Sequence, residues 1–192
     1  MEFTTTLDRD GAVRAATRIF RAYGYSDATP VLLAHAVGVA KSDLYSAFGS
    51  KHDLFLTCLT TYADREFEEF SEQLSKAGPA QERIRRAFDA AAAADQDDPD
   101  HCGCLIVSTA TERGFSDSEA SKIVWESMSR TRAALRGVLA DGVQAGEIDL
   151  DRDLDALADM LQCTMIGLRV LGSAASNSAS IRAVIDSAVS NI

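Results

Sequence analysis

The chain has 192 residues, 29 acidic against 19 basic side chains for a formal charge of −10, with 12 glycines, 3 prolines and 7% aromatics. That length accommodates one large core or a small head on a body of about 140 residues, and so few Gly and Pro leave helical spacing almost unbroken, which excludes an obvious strand-built fold. The acidic balance taken alone argues against nucleic acid. MEFTTTLDRDG has no basic start leading into an apolar stretch, and no run approaches the roughly 18 apolar residues of a membrane helix, so a cytoplasmic protein without a membrane partner is expected.

The first predicted helix covers about Asp10 to Ala22, with Val13, Ala16, Ile19, Phe20 and Tyr23 on one stripe and Gly24 ending it. Thr29-Pro30 reads as a helix start, the hydroxyl capping free amides and Pro losing no bond at the first position. A short helix to Ala36 follows, then Gly38 for a sharp turn, then a second short helix over about Lys41 to Phe48. Ser50-x-x-Asp53 is close to a capping box and opens a long helix with Phe55, Leu59, Tyr62, Phe67, Phe70 and Leu74 inward. Gly78-Pro79 stops it. Further helices are expected over about Ala80 to Ala94, Cys102 to Arg113, from the Ser116-x-x-Glu119 capping box to Ala145, Asp153 to Leu171, and Ala179 to Val189. The fold class is therefore all-α, with about nine helices: a three-helix head over residues 1–52 and a helical body over residues 53–192, joined inside the long helix without a linker.

Charge is uneven between these parts. Residues 1–55 hold six basic side chains (Arg9, Arg14, Arg18, Arg21, Lys41, Lys51) and six acidic ones (Glu2, Asp8, Asp10, Asp27, Asp43, Asp53), so the whole deficit lies in the body. Screening over about 8 to 10 Å lets the local field of a neutral head govern phosphate binding.

Two short helices about a Gly turn, braced by a preceding amphipathic helix, are the anatomy of a helix-turn-helix, whose second helix fits a DNA major groove. Thr29-Pro30, Leu33-Ala34, Gly38-Val39-Ala40-Lys41, Leu44-Tyr45, Phe48 and Ser50-Lys51, preceded by Gly24-Tyr25, resemble the N-terminal domain of the tetracycline-repressor (TetR) family of bacterial transcription regulators. GCLIVSTATE and AGEIDLDRDLDALADMLQCTMIGLRVL resemble its C-terminal region more weakly. The resemblance implies that Lys41, Tyr45 and Lys51 touch the DNA backbone, that Thr29 lies where the family contacts phosphate, and that Leu44 and Phe48 pack. Helix N-termini, Lys and Tyr are suitable phosphate donors. Ala40, Ser42 and Ala47 replace a common hydroxyl, Gly and His of that pattern, so base choice does not transfer. Asp43 has two readings, holding free amides at the third helical position or accepting from a cytosine amino group, and the first is favoured. Thr29, Lys41, Ser42, Asp43, Tyr45 and Lys51 form the candidate DNA-binding set.

One reader helix specifies too few base pairs alone, so a two-fold dimer on a pseudo-palindromic double-stranded operator is expected. The helix over 153–171 is apolar on two faces and needs two partners. Leu157, Leu161, Met165 and Leu168 with Ile181, Val184 and Ile185 are the candidate interface of a homodimeric four-helix bundle. The resemblance further implies a small-molecule pocket in the body, and Phe55, Leu59, Tyr62, Phe88, Ile106, Trp125 and Met128 are its candidate lining, for a small hydrophobic or aromatic effector.

Other constellations carry less. Cys58, Cys102, Cys104 and Cys163 read as reduced thiols, and Cys102-Gly103-Cys104 lacks the further ligands of a zinc site. Asp149-x-Asp151-x-Asp153 imitates a calcium loop but has Leu154 at the sixth position and Met160 at the twelfth, so it reads as an acidic helix entrance. His101 reads as a solvated loop residue. No cofactor, metal or hydrolase motif is present, and His35, His52 and His101 are scattered, so an enzyme is not expected. The competing reading is a helical ligand-binding or adaptor protein that has lost specific DNA binding.

Overall fold

The computed structural model describes residues 7–96, 102–174 and 178–192. They form α1 (Arg9–Asp27), α2 (Pro30–Val37), α3 (Lys41–Phe48), α4 (Lys51–Ser75), α5 (Ala80–Gln96), α6 (Leu105–Arg113), α7 (Ser118–Gln144), α8 (Leu154–Ser173) and α9 (Ser178–Ser190), with no strand among the described residues. None of these helices is long and apolar enough to cross a membrane.

Local chemistry sets the boundaries. Ser50 and Asp53 form the full capping box of α4, side chain and backbone exchanging both hydrogen bonds. Asp153 accepts from the amides of Asp155 and Ala156 at 3.0 Å each, which gives the acidic segment before α8 a capping role. At α7 the expected cap moves by one residue: Asp117, not Ser116, accepts from the Ala120 amide at 3.1 Å. α6 begins three residues later than expected, since Gly103 has φ 69° and holds Cys102 to Cys104 out of the helix.

Two apolar cores are stacked along the long helices. The first joins Ala16 and Phe20 of α1, Leu33 of α2, Leu44 and Phe48 of α3, Leu54, Phe55, Cys58, Leu59 and Tyr62 of α4, Leu105 and Ile106 of α6, and Val124 of α7. Phe20 meets Phe55 edge to face at 5.0 Å, and Tyr25 lies 4.8 Å from the same ring. Truncating such a buried Phe costs about 3–5 kcal/mol. This core continues across residues 52 and 53, so the head has no interior separate from the start of α4. The second core gathers Phe70 and Leu74 of α4, Ile84 and Phe88 of α5, Leu135 and Leu139 of α7, Leu157, Leu161, Met165 and Leu168 of α8, and Ile181 and Ile185 of α9.

That second core corrects the expected interface. Leu157, Leu161, Met165, Leu168, Ile181 and Ile185 are buried against their own chain, because α8 turns its bulkiest stripe toward α5 and α7. Of the seven candidates only Val184 is exposed, at 37%. The outward side of α8 is its other stripe, with Cys163, Gly167 and Val170 exposed and Met160 half-buried.

Candidate nucleic-acid interface and effector cavity

The head presents α3 outward. Thr29 ends the segment before α2 in extended geometry, and its Oγ1 accepts from the Leu32 amide at 3.2 Å, which leaves the hydroxyl proton free to donate. Gly38 closes α2 with φ 78°, and its N–H donates to Ala34 O at 3.0 Å. This left-handed corner, natural for glycine, aims the chain into α3. Leu44 and Phe48 anchor α3 in the core, while Lys41, Ser42, Asp43 and Ser46 are exposed. Arg9 fixes the far end from α1: its guanidinium covers the Phe48 ring at 4.4 Å and donates to Ala47 O at 2.7 Å.

Three candidate residues sit differently from expectation. The Tyr45 hydroxyl is buried and has no hydrogen-bond partner among the described residues, and burial together with the neighbouring Tyr25 phenol raises its pKa. The oxygen that was to reach DNA therefore points into the protein. Lys51 Nζ donates to Ser26 O at 3.3 Å and lies 4.6 Å above the Tyr25 ring; burial lowers its pKa against the opposing pull of Glu112 and Asp27. Asp43 does not hold the helix amides. The α3 cap position is Ala40 without a side-chain bond, and the Asp43 carboxylate accepts from Ser42 Oγ at 3.2 Å.

The head is clasped to α6. Gly24 breaks α1 with φ 71° and ψ 178°, and the amides that follow it are taken by the Glu112 carboxylate: Tyr25 N at 2.8 Å, Ser26 N at 2.8 Å and Ser26 Oγ at 2.7 Å. Burial alone would raise the Glu112 pKa, but these donors and Arg113 outweigh it and hold the carboxyl low. Arg113 also covers the Tyr25 ring at 4.6 Å. Alongside, His52 Nε2 lies 3.0 Å from buried Asp117, whose carboxyl burial would raise and whose contacts with Ala120, His52 and Arg113 lower. At the other end of α6, Arg21 Nε donates to Gly103 O at 2.8 Å.

A cavity of about 240 Å³ opens in the body between α4, α5, α6, α7 and α8. Its apolar lining includes Phe67, Phe70, Ala87, Ala90, Ala91, Ala94, Ile106, Val107, Met128, Met165 and Ile166. Alanines on α5 leave room that larger residues would fill. Of the seven residues expected there, Ile106 and Met128 line it. Phe55, Leu59, Tyr62 and Phe88 are packed in the cores instead, and Trp125 is 73% exposed, beside a shallow surface depression with Asp64 and Arg130. Lys122, Glu126 and Ser129 share the Trp125 side of α7, a polar stripe that already marks it as outward.

The lining is also more charged than expected. Arg169 pairs with Glu66 on the wall, with side-chain exposures of 12% and 17%, and Glu69, Glu72, Gln73, Ser127, Thr131 and Gln162 add polar groups. Burial lowers the Arg169 pKa. One sequence signal for it existed: Arg169 is the only charged residue between Asp159 and Ser173. Cys104 reaches the same wall, whereas Cys58 is sealed in the first core, where burial pushes its thiol up to about 12. His101 and residues 97–100 before it lie outside the described residues.

With this geometry in hand, residues 12–58 match the family of bacterial regulatory proteins called tetR, and residues 80–188 match the tetracyclin repressor-like C-terminal domain. The uncharacterized HTH-type transcriptional regulator YezE of Bacillus subtilis (strain 168) is 28% identical over 168 residues, 87% of this chain and 84% of the relative. The HTH-type transcriptional repressor ComR of Escherichia coli (strain K12) is 26% identical over 167 residues, 85% of this chain and 79% of the relative. Among solved structures, a cysteine mutant of the TetR family regulator CifR complexed with 26-bp double-strand operator DNA superimposes with TM-score 0.86 and 27% identity, covering 96% of this chain and 97% of that one. A TetR regulator from Chloroflexus aurantiacus J-10-FL shares the fold, with TM-score 0.87, 24% identity and coverages of 96% and 93%. The two family matches together cover most of the chain, and it belongs to the TetR family of DNA-binding transcriptional regulators.

Proposed function

We propose that this chain is a cytoplasmic, ligand-responsive repressor that grips a pseudo-palindromic operator as a homodimer and is released by a small, largely apolar molecule in the body cavity. The observation that carries this reading is the open side of α3: Leu44 and Phe48 are buried while Lys41, Ser42, Asp43 and Ser46 face solvent. A rod about 12 Å wide with its polar side free suits the major groove. The operator complex of CifR and the repressor named ComR favour the same assignment. Lys41 and Thr29 supply phosphate donors, and the outward stripe of α8 with Val184 of α9 supplies the two-fold contact.

The effector would fill the cavity between α4 and α8 and meet apolar walls with the Glu66–Arg169 pair at one side. Because α6 lines the cavity through Ile106 and Val107 and holds the head through Glu112, a ligand that favours one position of α6 shifts the spacing of the heads. The test is fluorescence anisotropy on the protein's own upstream intergenic DNA at low and moderate salt, with thermal-shift screening of small apolar compounds. Salt-sensitive, sequence-selective binding that hits abolish, and that survives those hits in Ala91→Phe, is expected. Absence of selective binding at both salts sinks the regulator reading in favour of a ligand-binding adaptor.

A further inference from the structure

The recognition helix of the proposed operator reader carries one acidic side chain, which sits in the first turn and is held by no helix amide. Asp43 occupies the third position of α3, in the turn whose residues meet base edges when such a helix enters a major groove. On a helical wheel anchored by Leu44 and Phe48, Ser42 and Ser46 centre the outward side and Asp43 flanks them. Its carboxylate takes no helix amide and no cation among the described residues; its one partner among them is the Ser42 hydroxyl at 3.2 Å, which fixes its direction and leaves acceptor capacity over.

A carboxylate is acceptor-only, so what it meets in the groove is constrained. Guanine offers N7 and O6 and thymine O4, all acceptors that repel it. Adenine has an N6 donor but sets the N7 acceptor beside it. Cytosine offers the N4 amino group with no acceptor next to it on that edge. An acid brought among phosphates is repelled unless such a donor compensates. We infer that Asp43 reads the N4 amino group of one cytosine in each operator half-site, held in place by Ser42, and is thereby a specificity-determining residue of this regulator.

This inference rests on the operator-binding reading, and one experiment separates the two. A pool of randomised double-stranded DNA is selected in parallel against wild-type protein, Asp43→Ala and Asp43→Asn, each verified as folded by far-ultraviolet circular dichroism. The wild type should enrich cytosine at one symmetric position per half-site, with roughly 5- to 150-fold preference in matched duplexes, corresponding to the usual discrimination of a good base contact. Asp43→Ala should lose that preference at that position alone. Asp43→Asn, whose amide matches the N6 and N7 of adenine, should shift it to adenine and keeps the test usable if the alanine variant fails to fold. Unchanged preferences in both variants, with only a lowered melting temperature, overturn the inference and leave Asp43 a partner of the helix dipole. A wild-type pool that enriches nothing overturns the operator reading itself.

Discussion

At the scale of single residues, exposure separates two side chains that family resemblance treats alike. Tyr45 was expected to donate to the DNA backbone, yet its hydroxyl is enclosed and unpaired among the described residues. A buried donor without a partner costs about 1–3 kcal/mol, so Tyr45→Phe should stabilise the protein by about 1 kcal/mol and raise its melting temperature by a few degrees. Operator affinity should stay within about twofold in titrations; a tenfold loss would mean that the hydroxyl turns outward on DNA. Lys41, by contrast, is exposed at the first position of α3. Lys41→Ala should flatten the dependence of log K on log salt by about 0.9, the signature of one lost phosphate contact. Lys51, held by Ser26 O and the Tyr25 ring, should change that slope less. The sequence could supply the donor types but not their directions, because the residues that hold Lys51, Ser26 and Tyr25, lie 25 or more residues earlier in the chain.

At the scale of elements, helix identities were legible and the joints between them were not. Apolar spacing and cap chemistry located each helix to within a few residues, and Ser50 with Asp53 capped α4 as written. At α7 both Ser116 and Asp117 can cap; Asp117 takes the role while also meeting His52 and Arg113, contacts that only the folded chain brings together. The Glu112 clasp on Tyr25 and Ser26 joins the last residue of GCLIVSTATE to the residues after Gly24, a pairing that neither segment announces by itself. It ties α6 to the break in α1, and Gly24 permits it: a Cβ built there would lie 2.7 Å from Glu112 Oε2, at a φ that other residues seldom adopt.

Glu112→Gln should therefore cost about 1 kcal/mol at neutral pH, since charge-assisted bonds to two amides and a hydroxyl weaken together. The folded carboxyl lies below its ordinary value, so its stabilisation is complete above the unfolded value near 4.3 and is lost as pH falls through the folded one. In urea melts the gap between wild type and Glu112→Gln should stay flat from pH 7 to about 5 and close below about 4. A gap that persists unchanged at pH 3 would show that the clasp does not depend on the ionised carboxylate. Faster amide exchange at Tyr25 and Ser26 in the variant should accompany the loss.

At the scale of the whole molecule, the question is which side of α8 meets a second chain. The sequence announced a helix with two apolar sides but could not rank them, and the heavier Leu157, Leu161, Leu168 stripe proved to be the inner one. What distinguishes the outer stripe is smallness. Gly167 is exposed in mid-helix, and a Cβ added there would meet nothing within 4 Å in its own chain. A helical Gly costs about 1 kcal/mol relative to Ala, and no contact among the described residues demands it, which suits the close approach of a second chain in the proposed two-fold contact. Val170, half exposed one turn on, continues the same surface. Mutations on the two sides of this one helix should then fail differently. Gly167→Leu should leave the single chain as stable as wild type or slightly more so, yet sediment as a monomer at concentrations where wild type is a dimer, and bind a two-half-site operator at least tenfold more weakly. Leu161→Ala, which empties space in the second core, should lower unfolding free energy by about 2–5 kcal/mol while the folded fraction remains dimeric. If Gly167→Leu sediments as a dimer of wild-type affinity, the outward stripe of α8 is a solvated surface and the two-fold axis passes elsewhere.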